Sequence, residues 1–264
     1  AMALAVLEDT NIQHGPIEAV FTRDEETNLG GAFGMKADFM DGDILINLDS
    51  EDEGELFVGC AGGVGTTARF KFDTVAVPSD YFFFKITVKG LIGGHSGDDI
   101  NKRRANANKI LTRFLYNEMS KLDLYLCDIK GGKLHNAIPR EAFAICAIPA
   151  KDKEQIRVDL NIFAADIETE FHITEKTLHI GMEITQAVSC AVPRNIAKKV
   201  VTSLQAVFCG VFAISQDMDD FVETSSNLAS IKIENNTIII GTSQRSSLKS
   251  ACDNVANTVK AAFE

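Results

Sequence analysis

The spacing of apolar and polar residues changes character near residue 80. Before it, apolar residues come in short runs, at 17–22, 44–48 and 56–60. Runs of this length, rich in β-branched residues, predict buried strands. Residues 3–7 predict a helix, and 29–35 a short helix despite three glycines. From Phe82 onward the periods are regular. Positions 84–89 alternate as a half-buried strand does, and strands are predicted near 122–128, 141–148 and 178–185. Ala107, Ile110, Leu111, Phe114 and Leu115 make one helical stripe, and Ile156, Leu160, Phe163, Ala164 and Ile167 another. Pro193 suits the first turn of a third helix, whose buried face holds Ile196, Val200, Val201, Leu204 and Phe208. Strands near 227–233 and 237–241 predict a hairpin about Glu234-Asn235-Asn236. Leu248, Ala251, Cys252, Val255 and Val259 stripe a closing helix.

The order from Phe82 is β-α-β-β-α-β, then α-β-β-α. That is a split βαβ arrangement, with helices on one face of a mainly antiparallel sheet. The earlier stretch reads as α/β. Ala61-Gly62-Gly63-Val64-Gly65 breaks the pattern between them, so domains are expected at 1–63 and 64–264.

Composition narrows the partners. With 264 residues and a formal net charge of −11, the chain repels nucleic acid unless a basic patch outweighs that charge. The tight basic run Lys102-Arg103-Arg104 is read as solvated surface. Six cysteines contain no CxxC pair, which argues against a thiolate zinc knuckle. Cys127, Cys146 and Cys209 sit in apolar runs and read as core residues. There is no signal peptide and no run of about 18 apolar residues to cross a membrane. A reducing cytoplasm is the expected location. The first helix has no capping residue before it and reads as a helix cut in its middle.

Candidate chemistry begins with two acidic clusters, each following an apolar run: Asp24-Glu25-Glu26, and the stretch opening at Asp49. Carboxylates beyond the carboxyl ends of strands can converge on a cation or a moving proton. The competing reading is a solvated acidic loop. In Gly93-Gly94-His95-Ser96-Gly97, glycines leave the imidazole prominent, able to donate to an oxyanion; a plain turn is the alternative. Asn136 could hold a substrate carbonyl or carboxylate, and Arg245 could clamp a carboxylate with two donors. His14, His172 and His179 have no motif around them.

The strings FTRDEETNLGGAFGM (21–35), DILINLDSEDEGELFVGCAGG (43–63), VKGLIGGHSG (88–97), ANKILTRFL (107–115), NAIPREAFA (136–144) and VETSSN (222–227) resemble the aminoacyl-histidine dipeptidases, also called cytosol non-specific dipeptidases. The similarity runs along essentially the whole chain. It implies a catalytic α/β domain that binds two zinc ions per subunit, and an inserted lid domain that dimerises. Glu25 would then be the general base, with Glu26 and Asp49 as zinc ligands. His95, on the lid, would help stabilise the tetrahedral intermediate, in its own or the partner subunit's site, and Asn136 and Arg245 would contact the backbone and carboxylate of a dipeptide. Members of that family also carry a His-x-Asp motif and further zinc-ligating residues, and no His-x-Asp motif occurs here. Residues 1–63 would thus be a slice of the catalytic domain, and 64–264 a nearly complete lid. The implied activity is zinc-dependent dipeptide hydrolysis by the parent enzyme, with this chain inactive alone. The competing class is a non-catalytic dimerisation or binding module that keeps the family's sequence.

Overall fold

Phe84, Ile86 and Val88 are almost wholly buried while Lys85 and Thr87 between them are half-buried, the signature of a sheet covered on one face. In the computed structural model, which describes residues 2–25, 29–49 and 54–264, they lie on β3. The chain divides into two units, 1–59 and 60–264. The expected boundary after residue 63 stands a few residues later than this division.

In residues 60–264 the strands are β1 (Gly62–Lys71), β2 (Val75–Ala76), β3 (Tyr81–Lys89), β4 (Gly94–His95), β5 (Tyr125–Gly131), β6 (Ala137–Ile138), β7 (Ala142–Pro149), β8 (His179–Ile184), β9 (Cys190–Ala191), β10 (Gly210–Ile214), β11 (Val222–Glu234) and β12 (Thr237–Ser246). The main sheet runs β1-β12-β11-β5-β7-β3-β8, with β10 also pairing β11, and every pairing in it is antiparallel. Within it, β8-β3-β7-β5 is the split βαβ order expected from the sequence.

The long strand β11 serves two neighbours along one edge. Its start pairs with β10, and Ile231 and Lys232 near its end pair with Gly131 and Lys130 of β5. That short ladder is the seam between the β5–β8 half and the β1–β12 half. The β11–β12 turn matches expectation: Asn235 and Asn236 both have positive φ (48° and 54°), and Glu234 pairs Thr237. Asparagine tolerates that region, which a type I′ turn requires at both central positions.

Helices α1 (Met2–Glu8) and α2 (Gly30–Phe33) lie in the first unit. Four more belong to the second: α3 (Ala107–Lys121), α4 (Lys153–Phe171), α5 (Arg194–Ala206) and α6 (Lys249–Phe263). Asn106 caps α3, its side chain accepting from the amides of Asn108 and Lys109 at 3.0 and 3.2 Å. Pro193 sits one residue outside α5, at its cap, rather than in its first turn. The core joins the apolar stripes of α3, α4 and α5 to the sheet, with Val259 and Phe263 added by α6. Phe208, expected on the buried face of α5, lies beyond that helix and is exposed.

Two corrections concern strands. The stretch 61–65 is not a break but the start of β1, which pairs with β12 in unbroken register from Gly62↔Ser246 to Lys71↔Thr237. Glycine signals a turn only where no partner strand needs close approach. Conversely, 17–22, 44–48 and 56–60 are not strands. A strand is defined by a partner, and the described residues of 1–59 offer none. Ile44, Leu45 and Ile46 are accordingly 84%, 72% and 76% exposed.

Burial also strains one carboxylate. Glu118 on α3 is buried; its Oε1 accepts from Lys121 at 2.8 Å and its Oε2 has no partner. Desolvation raises its pKa against the pull of Lys121, with Asp159 raising it further. A raised carboxyl pKa contributes stability below the unfolded value, and that contribution is lost as pH rises through the folded one. Glu118→Gln is therefore expected to stabilise the fold by roughly 1 kcal/mol at pH 7. The gain should vanish near pH 4, as read from denaturant midpoints at the two pH values.

Candidate functional site

β4 and β6 form a two-residue ladder in which His95 faces Ala137, so Asn136 comes beside the loop that carries His95. The Asn136 carbonyl accepts the Ser96 N–H at 2.7 Å. From the other side, Asn227 on β11 donates to the Ala137 carbonyl at 2.8 Å and accepts from Asn106 at 3.1 Å. The cap of α3 and the site hairpin are thereby tied to one strand.

Arg245 stands on β12, opposite Gly63 of β1 and Ser225 of β11. Its Nη2 lies 3.4 Å from Nε2 of His95, 150 positions away in sequence. A guanidinium only donates, so toward Arg245 the Nε2 atom accepts. Nδ1 lies 2.6 Å from Oδ2 of Asp98 and 3.3 Å from the Asp98 backbone nitrogen, whose N–H points at it. The Nε of Arg245 is buried and finds no hydrogen-bond partner. Its guanidinium therefore keeps donor capacity unspent.

Glycines make room for this pair. A Cβ on Gly97 would come 3.2 Å from Cε1 of His95 and 3.3 Å from Nη1 of Arg245. Gly94, at φ 144°, would drive a Cβ into Arg104 and Asp99.

Asp99 organises the loop. It accepts the His95 N–H at 2.8 Å and pairs with Lys102 at 2.7 Å and Arg104 at 2.9 Å. The Lys102 ammonium chiefly, with the His95 amide and Arg104, holds its carboxyl below the usual carboxylate range against the effect of burial. Its stabilising contribution is thus present above the unfolded pKa and lost as pH falls through the folded value. Part of the basic triplet read as solvated surface is therefore structural, since Arg104 also donates to the Gly93 carbonyl at 2.6 Å.

The structure thus brings together His95, Asn136 and Arg245, all from the second unit. Glu25 and Asp49 are exposed, and Glu26 lies outside the described residues. Among the described residues no group of three or more His, Cys, Asp or Glu side chains is placed to hold a metal ion. The described donors do not by themselves fit a zinc centre, which needs four ligands or three and an open position. Asp99, Glu175 and Asn227 are not picked out from the sequence, and Arg104 reads there only as solvated surface. Only Asp99 carried a signal, its place four residues after a glycine-flanked histidine. No helix is long and apolar enough to cross a membrane among the described residues.

Residues 85–175 match the peptidase dimerisation domain family. The chain is 40% identical over 257 residues to the cytosol non-specific dipeptidase of Escherichia coli (strain K12), covering 97% of this chain and 53% of that protein. The crystal structure of aminoacylhistidine dipeptidase from Vibrio alginolyticus superposes with a TM-score of 0.83 at 37% identity, covering 99% of this chain and 53% of that one. The chain spans about half the length of both relatives.

Proposed function

Taking as premise that the chain is a relative of the aminoacyl-histidine dipeptidases with a peptidase dimerisation domain at 85–175, we propose that it serves zinc-dependent hydrolysis of dipeptides, as part of a longer enzyme. The observation that carries this reading is the approach of His95 and Arg245 to 3.4 Å beside Asn136. An anion placed beside the pair would accept from the guanidinium, and from Nε2 of the imidazole when the ring carries both protons, in a partly water-shielded setting where such bonds are strong.

In this reading Arg245 clamps the carboxylate of the dipeptide, Asn136 contacts its backbone, and His95 supports the charge that develops on the scissile carbonyl oxygen. Residues 1–63 belong to the catalytic domain and 64–264 to the lid. Glu25 takes the proton of the attacking water, and Glu26 and Asp49 are metal ligands. The metal-binding set is completed by residues this chain does not supply. The name of the Escherichia coli relative and six free cysteines support a cytoplasmic location.

The chain alone is expected to release no histidine from an Xaa-His dipeptide, with or without added zinc, in a discontinuous amino-acid assay. Measurable turnover that chelation abolishes would overturn the assignment of an incomplete metal site. The dimerisation domain supports a homodimer, so light scattering of the chain at tens of micromolar is expected to give twice the monomer mass.

A further inference from the structure

Glu175 follows α4 and is only 3% exposed. Both of its carboxylate oxygens are taken by main-chain amides: Oε2 by Ile92 N–H at 2.8 Å and Oε1 by Ala105 N–H at 2.8 Å. Those two amides are the ends of the 92–105 segment, the loop that carries His95, Asp98 and Asp99. Its backbone is fixed in turn, with the Glu175 N–H donating to Phe171 at 2.8 Å and its carbonyl accepting from Leu178 at 3.1 Å.

We propose that Glu175 is a positioning residue whose carboxylate clamps the base of the 92–105 loop and so holds His95 opposite Arg245. The proposal rests on the reading of those two residues given above. The other ties act elsewhere. Asp99 and Arg104 bond within the loop and travel with it, whereas the β4–β6 ladder holds its tip. Glu175 joins both ends of the segment to a third element.

The choice of residue follows from donor and acceptor counts. Two amides, Ala105 in buried and Ile92 in part-buried surroundings, point at one side chain, and each takes one of its oxygens as acceptor. An ionised carboxylate offers acceptors on both oxygens and strengthens each bond by its charge. A carboxamide of the same shape offers one acceptor and one donor, so one amide would meet an N–H head-on.

Amide hydrogen exchange and the His95 ring spectrum of this chain test the clamp. In Glu175→Gln, exchange at Ile92 and Ala105 is expected to quicken at least tenfold. The His95 Cε1–H resonance should shift or broaden, while amides of Phe84 on β3 and Leu111 on α3 keep their protection. Glu175→Asp, with two acceptors on a shorter arm, should restore protection at one or both amides. Two results would overturn the proposal. One is an unchanged His95 resonance despite lost protection at both amides. The other is loss of protection on β3 and α3 together with the loop in both variants, which would make Glu175 part of the folding core. Because the readout is the environment of the ring and not hydrolysis, failure here leaves the dipeptidase reading standing. An inactive full-length enzyme would equally leave the clamp standing.

Discussion

On the proposed reading, replacing His95 with alanine in the longer enzyme is expected to lower kcat by about 10²- to 10³-fold, the usual cost of removing one group that stabilises an oxyanion. KM should change little, because the imidazole acts where charge develops rather than on the resting peptide. Arg245→Ala is expected to behave differently. Its guanidinium would bind a carboxylate that is present in both ground and transition states, so KM should rise about 100-fold. The pair can be separated by comparing an Xaa-His dipeptide with its C-terminal amide. The arginine variant should lose its preference for the free acid, and the histidine variant should keep it. A kcat unaltered by His95→Ala, in a protein with native circular dichroism, would remove the imidazole from the mechanism.

Lys109→Met is expected to cost about 2 kcal/mol of stability, roughly what several charge-assisted bonds contribute net of desolvation. Nζ of Lys109 on α3 donates to three carbonyls at the end of α5, those of Leu204, Gln205 and Val207, at 2.8, 3.0 and 2.9 Å. The closing carbonyls of a helix have no partner within it. Here another helix supplies one ammonium for three of them, and methionine would leave them in half-buried surroundings with nothing to accept from. The pH dependence has a definite sign. Desolvation lowers the pKa of Lys109, against a small opposing influence of Cys209. The native state therefore holds fewer protons than the unfolded one between the folded value and the unperturbed 10.5. Stability contributed by this residue rises with pH across that window. The gap between the wild type and Lys109→Met should widen there, as read by urea midpoints at pH 7 and pH 10.

Particular residues mark how far the sequence could be read. The split βαβ half was legible because its elements declare themselves locally. β3 alternates and α3 carries its stripe, and in the other half Asn235-Asn236 marks a turn. β1 was not legible, since Gly62, Gly63 and Gly65 look like a break until β12 is laid beside them. The runs at 44–48 and 56–60 failed in the opposite sense. Their composition suits a buried strand, but strand formation is a property of a pair, and the second member is not among the described residues of that unit. At the site, His95, Asn136 and Arg245 could be picked out as residues with chemistry to offer. Their meeting could not, because it depends on a 150-residue contact across the seam. Glu175 has no motif at all. Its role comes from two amides aimed at one buried point, a fact of three-dimensional placement alone.

A strand edge can be completed only once. Lys130 and Gly131 at the end of β5 pair with β11 of the same polypeptide, and Lys109 bolts α3 to α5. In the homodimer proposed above, β8 and β1 at the two ends of the sheet order are strands with one neighbour each among the described residues, and so have an edge to offer a second copy. His95 and Arg245 face each other within a single chain, so their approach needs no second copy.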